Sequence, residues 1–365
     1  MSDNARIRAL VVDDTVFMRR ALVDILSQDE EIEVVGVAKH GREALEAIEV
    51  LRPDVVTLDV DMPVMDGLTA IKHIMIKMPT PVVMVSGLAG HGRVTFDALR
   101  LGAVDFFPKP SGTISLDIHS RADELSRVVV RAARMNPMAI KRVRFQTMKA
   151  AKTAVVRDVN PPLGLAIVVA GRGFLGPFMR LLVNLRRSLP ISIICIQDVS
   201  CEVIESYSKE LDSIVRWDVR LAKGGLCLKT GSCLVASKDS PPWIEADDSG
   251  GFKIANGPPG NAQQLFEQAV ALTAGCCLAV VMGEPEHPVG DGPEKIKAGG
   301  GEVIFFNPNL TEGRLGDAMA RAGREVISDE RELLARIDAF GRRLLFGSIC
   351  KSRAISDQDD LLIRD

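Results

Sequence analysis

The chain has 365 residues, enough for two domains that each bury a core of their own. Its 45 lysines and arginines nearly balance its 48 aspartates and glutamates, so no global field selects nucleic acid or an anionic membrane. No apolar run approaches the roughly 18 residues of a membrane span, and the opening MSDNARIRAL lacks a signal-peptide apolar segment, so a cytoplasmic protein without membrane insertion is expected.

Residues 8–134 alternate apolar runs with amphipathic segments. RALVV (8–12), IEVVGVA (32–38), DVVTLDV (54–60), TPVVMVS (80–86) and VDFFP (104–108) read as strands. VFMRRALVDILS and REALEAIEVL repeat apolar residues every three or four positions, as sheet-covering helices do. Five strands alternating with helices predict a doubly wound parallel sheet buried on both faces, with ligands gathered outside the strand carboxyl ends. A connector follows over 135–164. From Arg131 to Arg157 there are eight basic residues and no acidic one. Without interleaved aromatics or a recognition helix, this reads as a solvated tether and not as a nucleic-acid surface.

From Leu165 the alternation resumes. LAIVVAG, ISIICIQ (191–197), CLVAS (233–237), CCLAVVMG (276–283) and EVIFFN (302–307) read as strands, and helical patterns fall near 177–187, 201–213, 262–274, 312–322 and 329–345. A second α/β domain over 165–350 is predicted, with a polar tail over 351–365 that frays. All seven cysteines lie between Cys195 and Cys350, an odd and scattered set that reads as buried thiols and not as a disulfide framework.

The first half carries the clearest chemistry. Asp13 and Asp14 end the first strand and Asp59 the third, so a parallel sheet brings three carboxylates within a few ångströms of one another. Like charges that close repel strongly, and an oxygen-seeking divalent cation such as Mg2+ relieves the repulsion. Ser86 ends the fourth strand and Lys109 the fifth. A metal site, a nucleophilic carboxylate and a cation able to neutralise phosphoryl oxygens together suit phosphoryl transfer, with Asp59 as acceptor. Helix capping alone would explain the aspartates but not a lysine and a hydroxyl at the other strand ends.

VVDDTVFMRR, LDVDMPVMDG, VMVSG and GAVDFFPKPSG resemble the receiver domain of bacterial response regulators, and more narrowly that of the chemotaxis protein-glutamate methylesterase (CheB) family. The resemblance implies a CheY-like receiver over 1–134 with Asp59 as phosphoacceptor for a histidine kinase. It also implies Mg2+ held by Asp13, Asp14, Asp59 and the backbone carbonyl of Asp61, and a switch formed by Ser86, Phe106 and Lys109. Phe106 also fits an ordinary core position.

The same resemblance implies a CheB-like, Rossmann-type effector domain in the second half, and GPF (176–178), IQD (196–198), NGPP (256–259), VVMGE (280–284) and IKAGGGEVI (296–304) match it in scraps. The family's catalytic serine, histidine and aspartate fall on Gly173, Asp198 and, after a small deletion, Asp291. Glycine has no nucleophile, and losing the serine of such a unit costs on the order of 10⁶ in turnover, about 8 kcal/mol. Family-type ester hydrolysis is therefore expected to be absent, with output by docking, for instance to a chemoreceptor tail. Two rivals stand beside this reading. His287 with Cys201 offers a relocated catalytic set for methylesterase or deamidase activity. Gly171, Gly173 and Gly176 spell G-x-G-x-x-G after a strand and before a helix, with Asp198 22 residues after Gly176, the context of a dinucleotide fingerprint.

Overall fold

The computed structural model describes residues 6–87, 92–109, 121–135, 160–248, 250–285, 289–308 and 325–362. They belong to two compact units. Most of the basic connector, the helix expected at 312–322 and His287 lie outside the described residues.

In the first unit, β1 (Ile7–Val12), β2 (Ile32–Ala38), β3 (Val55–Leu58), β4 (Val82–Gly87) and β5 (Asp105–Lys109) pair in the order β2-β1-β3-β4-β5, every pair parallel. The helices are α1 (Val16–Leu26), α2 (Gly41–Leu51), α3 (Gly67–Lys77), α4 (Gly92–Leu101) and α5 (Ala122–Ala133). Leu22, Ile25 and Leu26 of α1 and Leu125, Val128 and Val129 of α5 pack with Val11, Val83, Val85 and Phe107 of the sheet. Ile48, Ile71, Ile74 and Leu99 of α2, α3 and α4 are buried outside that cluster, as a sheet covered on both faces requires. Each such side chain contributes about 1.5–3 kcal/mol by leaving water. Local chemistry sets the helix starts: His40 Nδ1 accepts from the Glu43 amide at 3.1 Å, and Asp66 from the Thr69 amide at 2.7 Å.

The second unit holds β6 (Gly164–Ala170), β7 (Ile191–Gln197), β8 (Asp218–Leu221), β9 (Ser232–Ser237), β10 (Ile244–Ala246), β11 (Phe252–Ile254), β12 (Cys277–Met282), β13 (Glu302–Phe306) and β14 (Val326–Ile327). Seven form one parallel sheet ordered β14-β13-β12-β6-β7-β9-β8, and β10 and β11 make a separate antiparallel pair. The helices are α6 (Leu175–Asn184), α7 (Cys201–Ile214), α8 (Ala262–Thr273), α9 (Gly292–Ala298) and α10 (Glu330–Leu362). Leu265, Phe266 and Ala269 of α8 pack on Leu165, Ile167, Ile194, Cys277 and Ala279. The chain runs outward from β6 through β7 and β9, then returns to lay β12 on the other side of β6. That reversal opens a crevice at the strand carboxyl ends, where ligands of doubly wound sheets sit.

The expected strands and helices that fall on described residues are present with shifted ends. Sequence periodicity misses β8, β10, β11, β14 and α9, because each is two to seven residues long and, in β8, only partly buried. The stretch read as a fraying tail continues as α10 to Leu362; residues 351–362 contain neither proline nor glycine to stop a helix. Cys195, Cys233 and Cys277 are buried as expected, but Cys201 and Cys227 are exposed, the first at the open end of α7 and the second in a loop.

Candidate functional site

In the first unit the strand order puts the carboxyl end of β1 between those of β2 and β3. Asp13 is fully buried, Asp59 nearly so and Asp14 exposed. Each offers a carboxylate oxygen within 4.8 Å of the other two, the one such cluster among the described residues. Lys109 Nζ reaches in from the end of β5, 2.7 Å from Asp13 Oδ2 and 2.8 Å from Asp59 Oδ2. Asp13 also accepts the Thr15 amide at 2.9 Å, and Asp59 the Val60 amide at 2.7 Å, so both carboxylates are held by the backbone turns that follow their strands.

Burial pushes the Asp59 carboxyl above its ordinary value, against the hydrogen bond and charge of Lys109, while Asp13 pushes in the same direction as burial. For Lys109 burial disfavours the charge, but hydrogen bonds to Asp13 and Asp59 outweigh it and raise its pKa. A compact, all-oxygen donor set with one solvent-facing member fits a hard divalent cation. Ser86, fully buried in β4 beside Pro108, has a hydroxyl with no hydrogen-bond partner. Such a group is costly unless another acceptor arrives. Phe106 is buried in β5 opposite Met84. Asp61 is exposed in the loop after β3. The same loop holds Val64 at φ +66, a strained conformation for a β-branched residue.

The second unit has a cavity of about 240 Å³ at the carboxyl ends of β6, β7 and β9. Asp198 lies on its wall, 3% exposed, with Lys238 Nζ at 3.0 Å from its Oδ1. Asn261 and Gln263, at the start of α8, line the same space. Asp291 does not line it; its carboxylate accepts from Gln263 Nε2 at 2.8 Å and pairs with Lys295 at 3.2 Å. Gly173 adopts φ +84 in the turn after β6. Cys201 is exposed at the first position of α7 and does not line the cavity. No described residue on the cavity wall is serine, threonine, cysteine or histidine.

The glycine turn is packed against its own chain. A Cβ on Gly171 would stand 2.7 Å from the Glu284 carbonyl oxygen, so the close approach this glycine permits is already taken. The cavity is also below the about 300–1,000 Å³ of drug-sized ligand sites. Both observations weigh against a dinucleotide there. Sequence reasoning overlooks Lys238, although it follows the apolar run CLVAS just as Lys109 follows its own strand. It also overlooks Gln263, whose bond to Asp291 spans 28 residues, and Lys295, which pairs locally with Asp291 at i,i+4 and across 28 residues with Glu267.

Comparison with known proteins adds the relationship. Residues 9–121 match the family model of the response regulator receiver domain, and residues 166–314 that of the CheB methylesterase. A protein-glutamate methylesterase/protein-glutamine glutaminase of Symbiobacterium thermophilum is 33% identical over 322 residues, covering 83% of this chain and 88% of the relative. The chain belongs to the CheB family. Its similarity to the Pyrococcus abyssi protein-glutamate methylesterase/protein-glutamine glutaminase is 37% identity over 235 residues, 64% of each chain. The chain thus spans somewhat less than two thirds of that CheB relative. The response regulator domain of Thermotoga maritima CheB aligns with 36% of this chain and 99% of its own length, at 48% identity and a TM-score of 0.35. By the two family-model matches, the chain is a CheB-type response regulator with a receiver domain followed by a methylesterase-type α/β domain. Among the described residues no helix is long and apolar enough to cross a membrane.

Proposed function

We propose that Asp59 accepts a phosphoryl group from a histidine kinase, and that the second domain transmits this state by docking without hydrolysing esters. The observation that carries the first part is Lys109 bridging Asp13 and Asp59 beside a buried, unpartnered Ser86 hydroxyl. Asp13, Asp14, Asp59 and the Asp61 carbonyl would hold Mg2+, which supplies charge neutralisation for the carboxylates and the incoming phosphoryl oxygens. An Asp59 oxygen attacks phosphorus as the donor's P–N bond breaks, and the donor nitrogen keeps the bonding pair. Lys109 then faces a phosphoryl oxygen where it had faced a carboxylate, and Ser86 gains an acceptor. Inward movement of Ser86 lets Phe106 repack, altering the surface of the first unit. In this reading the receiver spans 1–134, a basic tether 135–164, and the effector 165–350. The protein works in the cytoplasm, and its docking partner is a chemoreceptor tail.

The reading of lost hydrolysis rests on a cavity wall that has no serine, threonine, cysteine or histidine among the described residues, and on Asp198 and Asp291 each paired with a lysine. The relatives, protein-glutamate methylesterase/protein-glutamine glutaminases, favour a second reading, in which methylesterase or glutaminase activity persists through residues such as His287. Labelling with acetyl phosphate and Mg2+ tests the receiver: label on the wild type and none on Asp59→Asn is expected, and equal labelling of both sinks it. Methanol release from methylated receptor tests the effector. Turnover at ordinary enzymatic rates that His287→Ala abolishes establishes the second reading instead.

A further inference from the structure

We propose that the cavity of the second unit binds a small zwitterion, an α-amino acid with an aliphatic side chain. This goes beyond the function proposed above and stands whether or not Asp59 takes a phosphoryl group. The wall is chemically divided. Val169, Ala170, Ile196 and Pro241 supply an aliphatic surface, while Asp198 and Lys238 supply one charge of each sign 3.0 Å apart.

That pairing dictates the ligand's charge pattern. An ammonium alone meets Asp198 favourably but also meets Lys238, a like charge held at the same place. A carboxylate alone meets Lys238 and is repelled by Asp198. Beside the buried Asp198 carboxylate such mismatches are costly, because a buried charge without compensation is penalised heavily. A molecule carrying both groups on one carbon answers both residues, adds no net charge to the site, and leaves its apolar arm for the aliphatic wall. Asp198 is 3% exposed, so its carboxylate is held in one place by the fold and not by solvent. Size points the same way: a cavity of about 240 Å³ is too small for a nucleotide-sized ligand and suits a molecule of about ten non-hydrogen atoms. The family's catalytic serine and histidine positions carry glycine and aspartate here. What remains on the described wall of this crevice is recognition chemistry without a serine, threonine, cysteine or histidine.

Isothermal titration of the full-length chain with L-leucine, leucinamide and 4-methylpentanoate tests the proposal. Leucinamide keeps the ammonium and lacks the carboxylate, and 4-methylpentanoate does the reverse. One-to-one binding of leucine with a Kd below about 1 mM is expected, a modest demand on a ligand of this size. Each single-charge analogue is expected to bind at least about tenfold more weakly. The double variant Asp198→Asn, Lys238→Met removes both charges together, so it keeps a compensated site and folds; it is expected to lose leucine binding while its melting transition stays cooperative. No saturable binding of leucine, valine or methionine at millimolar concentration overturns the proposal. So does equal binding of leucine and either analogue, or unchanged binding in the folded double variant.

Discussion

Gly67 lies so close to Asp59 that a Cβ built on it would stand 2.1 Å from the Asp59 carbonyl oxygen. The first residue of α3 is therefore pressed against the backbone that carries the proposed phosphoacceptor. Gly67 also donates its amide to the Val60 carbonyl at 2.8 Å, which fixes the return of the chain after β3. Gly67→Ala is expected to cost about 1–3 kcal/mol by overpacking and to slow acetyl phosphate labelling, because backbone must move to admit the methyl group. Gly87→Ala is the contrast, since a methyl group added there would meet nothing within 4 Å among the described residues. It is expected to stay within about 0.5 kcal/mol in urea denaturation. Equal destabilisation of the two variants contradicts the packing account.

Removing the cation between Asp13 and Asp59 leaves two buried carboxylates facing each other. Lys109→Gln is expected to destabilise the first unit by about 3–5 kcal/mol, as breaking one side of a buried pair does. Added Mg2+ is expected to raise the melting temperature of this variant more than that of the wild type, because the metal takes over the lost compensation. A variant indifferent to Mg2+ argues against metal binding by the three aspartates.

The same contact makes a pH prediction. The Lys109 ammonium holds its proton above the ordinary lysine value of 10.5, through its bonds to Asp13 and Asp59. A group whose folded pKa is raised stabilises fully below its unfolded value and loses that contribution as pH rises through the folded one. The stability gap between wild type and Lys109→Gln is therefore expected to hold up to about pH 10 and to narrow above 10.5. Thermal melts across about pH 8–11.5, about half a unit apart, measure it. A gap that closes near neutrality is inconsistent with this pairing.

At the second site, Lys238→Met leaves the Asp198 carboxylate buried without its partner and is expected to cost about 3–5 kcal/mol. Adding Asp198→Asn is expected to restore most of that loss, since exchanging a whole buried pair for neutral groups is nearly neutral. Guanidinium denaturation of the single and double variants reads the coupling directly; additive losses mean that the two residues do not depend on each other.

If the proposed loss of hydrolysis holds, a serine hydroxyl added at position 173 is not expected to create it. Gly173→Ser places an L side chain at φ +84, costing about 1–2 kcal/mol, and Asp198 offers no imidazole to take the proton. Methanol release from methylated receptor should stay at background in this variant. Appreciable turnover identifies a base that the described cavity wall lacks.

The receiver chemistry is readable from residue order because parallel sheets obey a simple rule. Asp13, Asp59, Ser86 and Lys109 each end an apolar run, and all strands of such a sheet present those ends on one side. Any parallel sheet of these strands puts them along one edge, which local pattern is enough to show, and the order β2-β1-β3-β4-β5 then brings Asp13, Asp59 and Lys109 into contact. The second cleft obeys no such shortcut. Asp198 and Lys238 are 40 residues apart, and they meet only because β7 and β9 are neighbours while β8 lies outside them. Asp291 is held by Gln263 of α8, 28 residues away, a contact that no periodicity encodes, whereas its pair with Lys295 is a local i,i+4 contact. The short strands β8, β10, β11 and β14 are likewise made by partners and not by propensity. A periodic apolar run declares itself, whereas a pair of side chains from distant segments exists only once the backbone has closed around it.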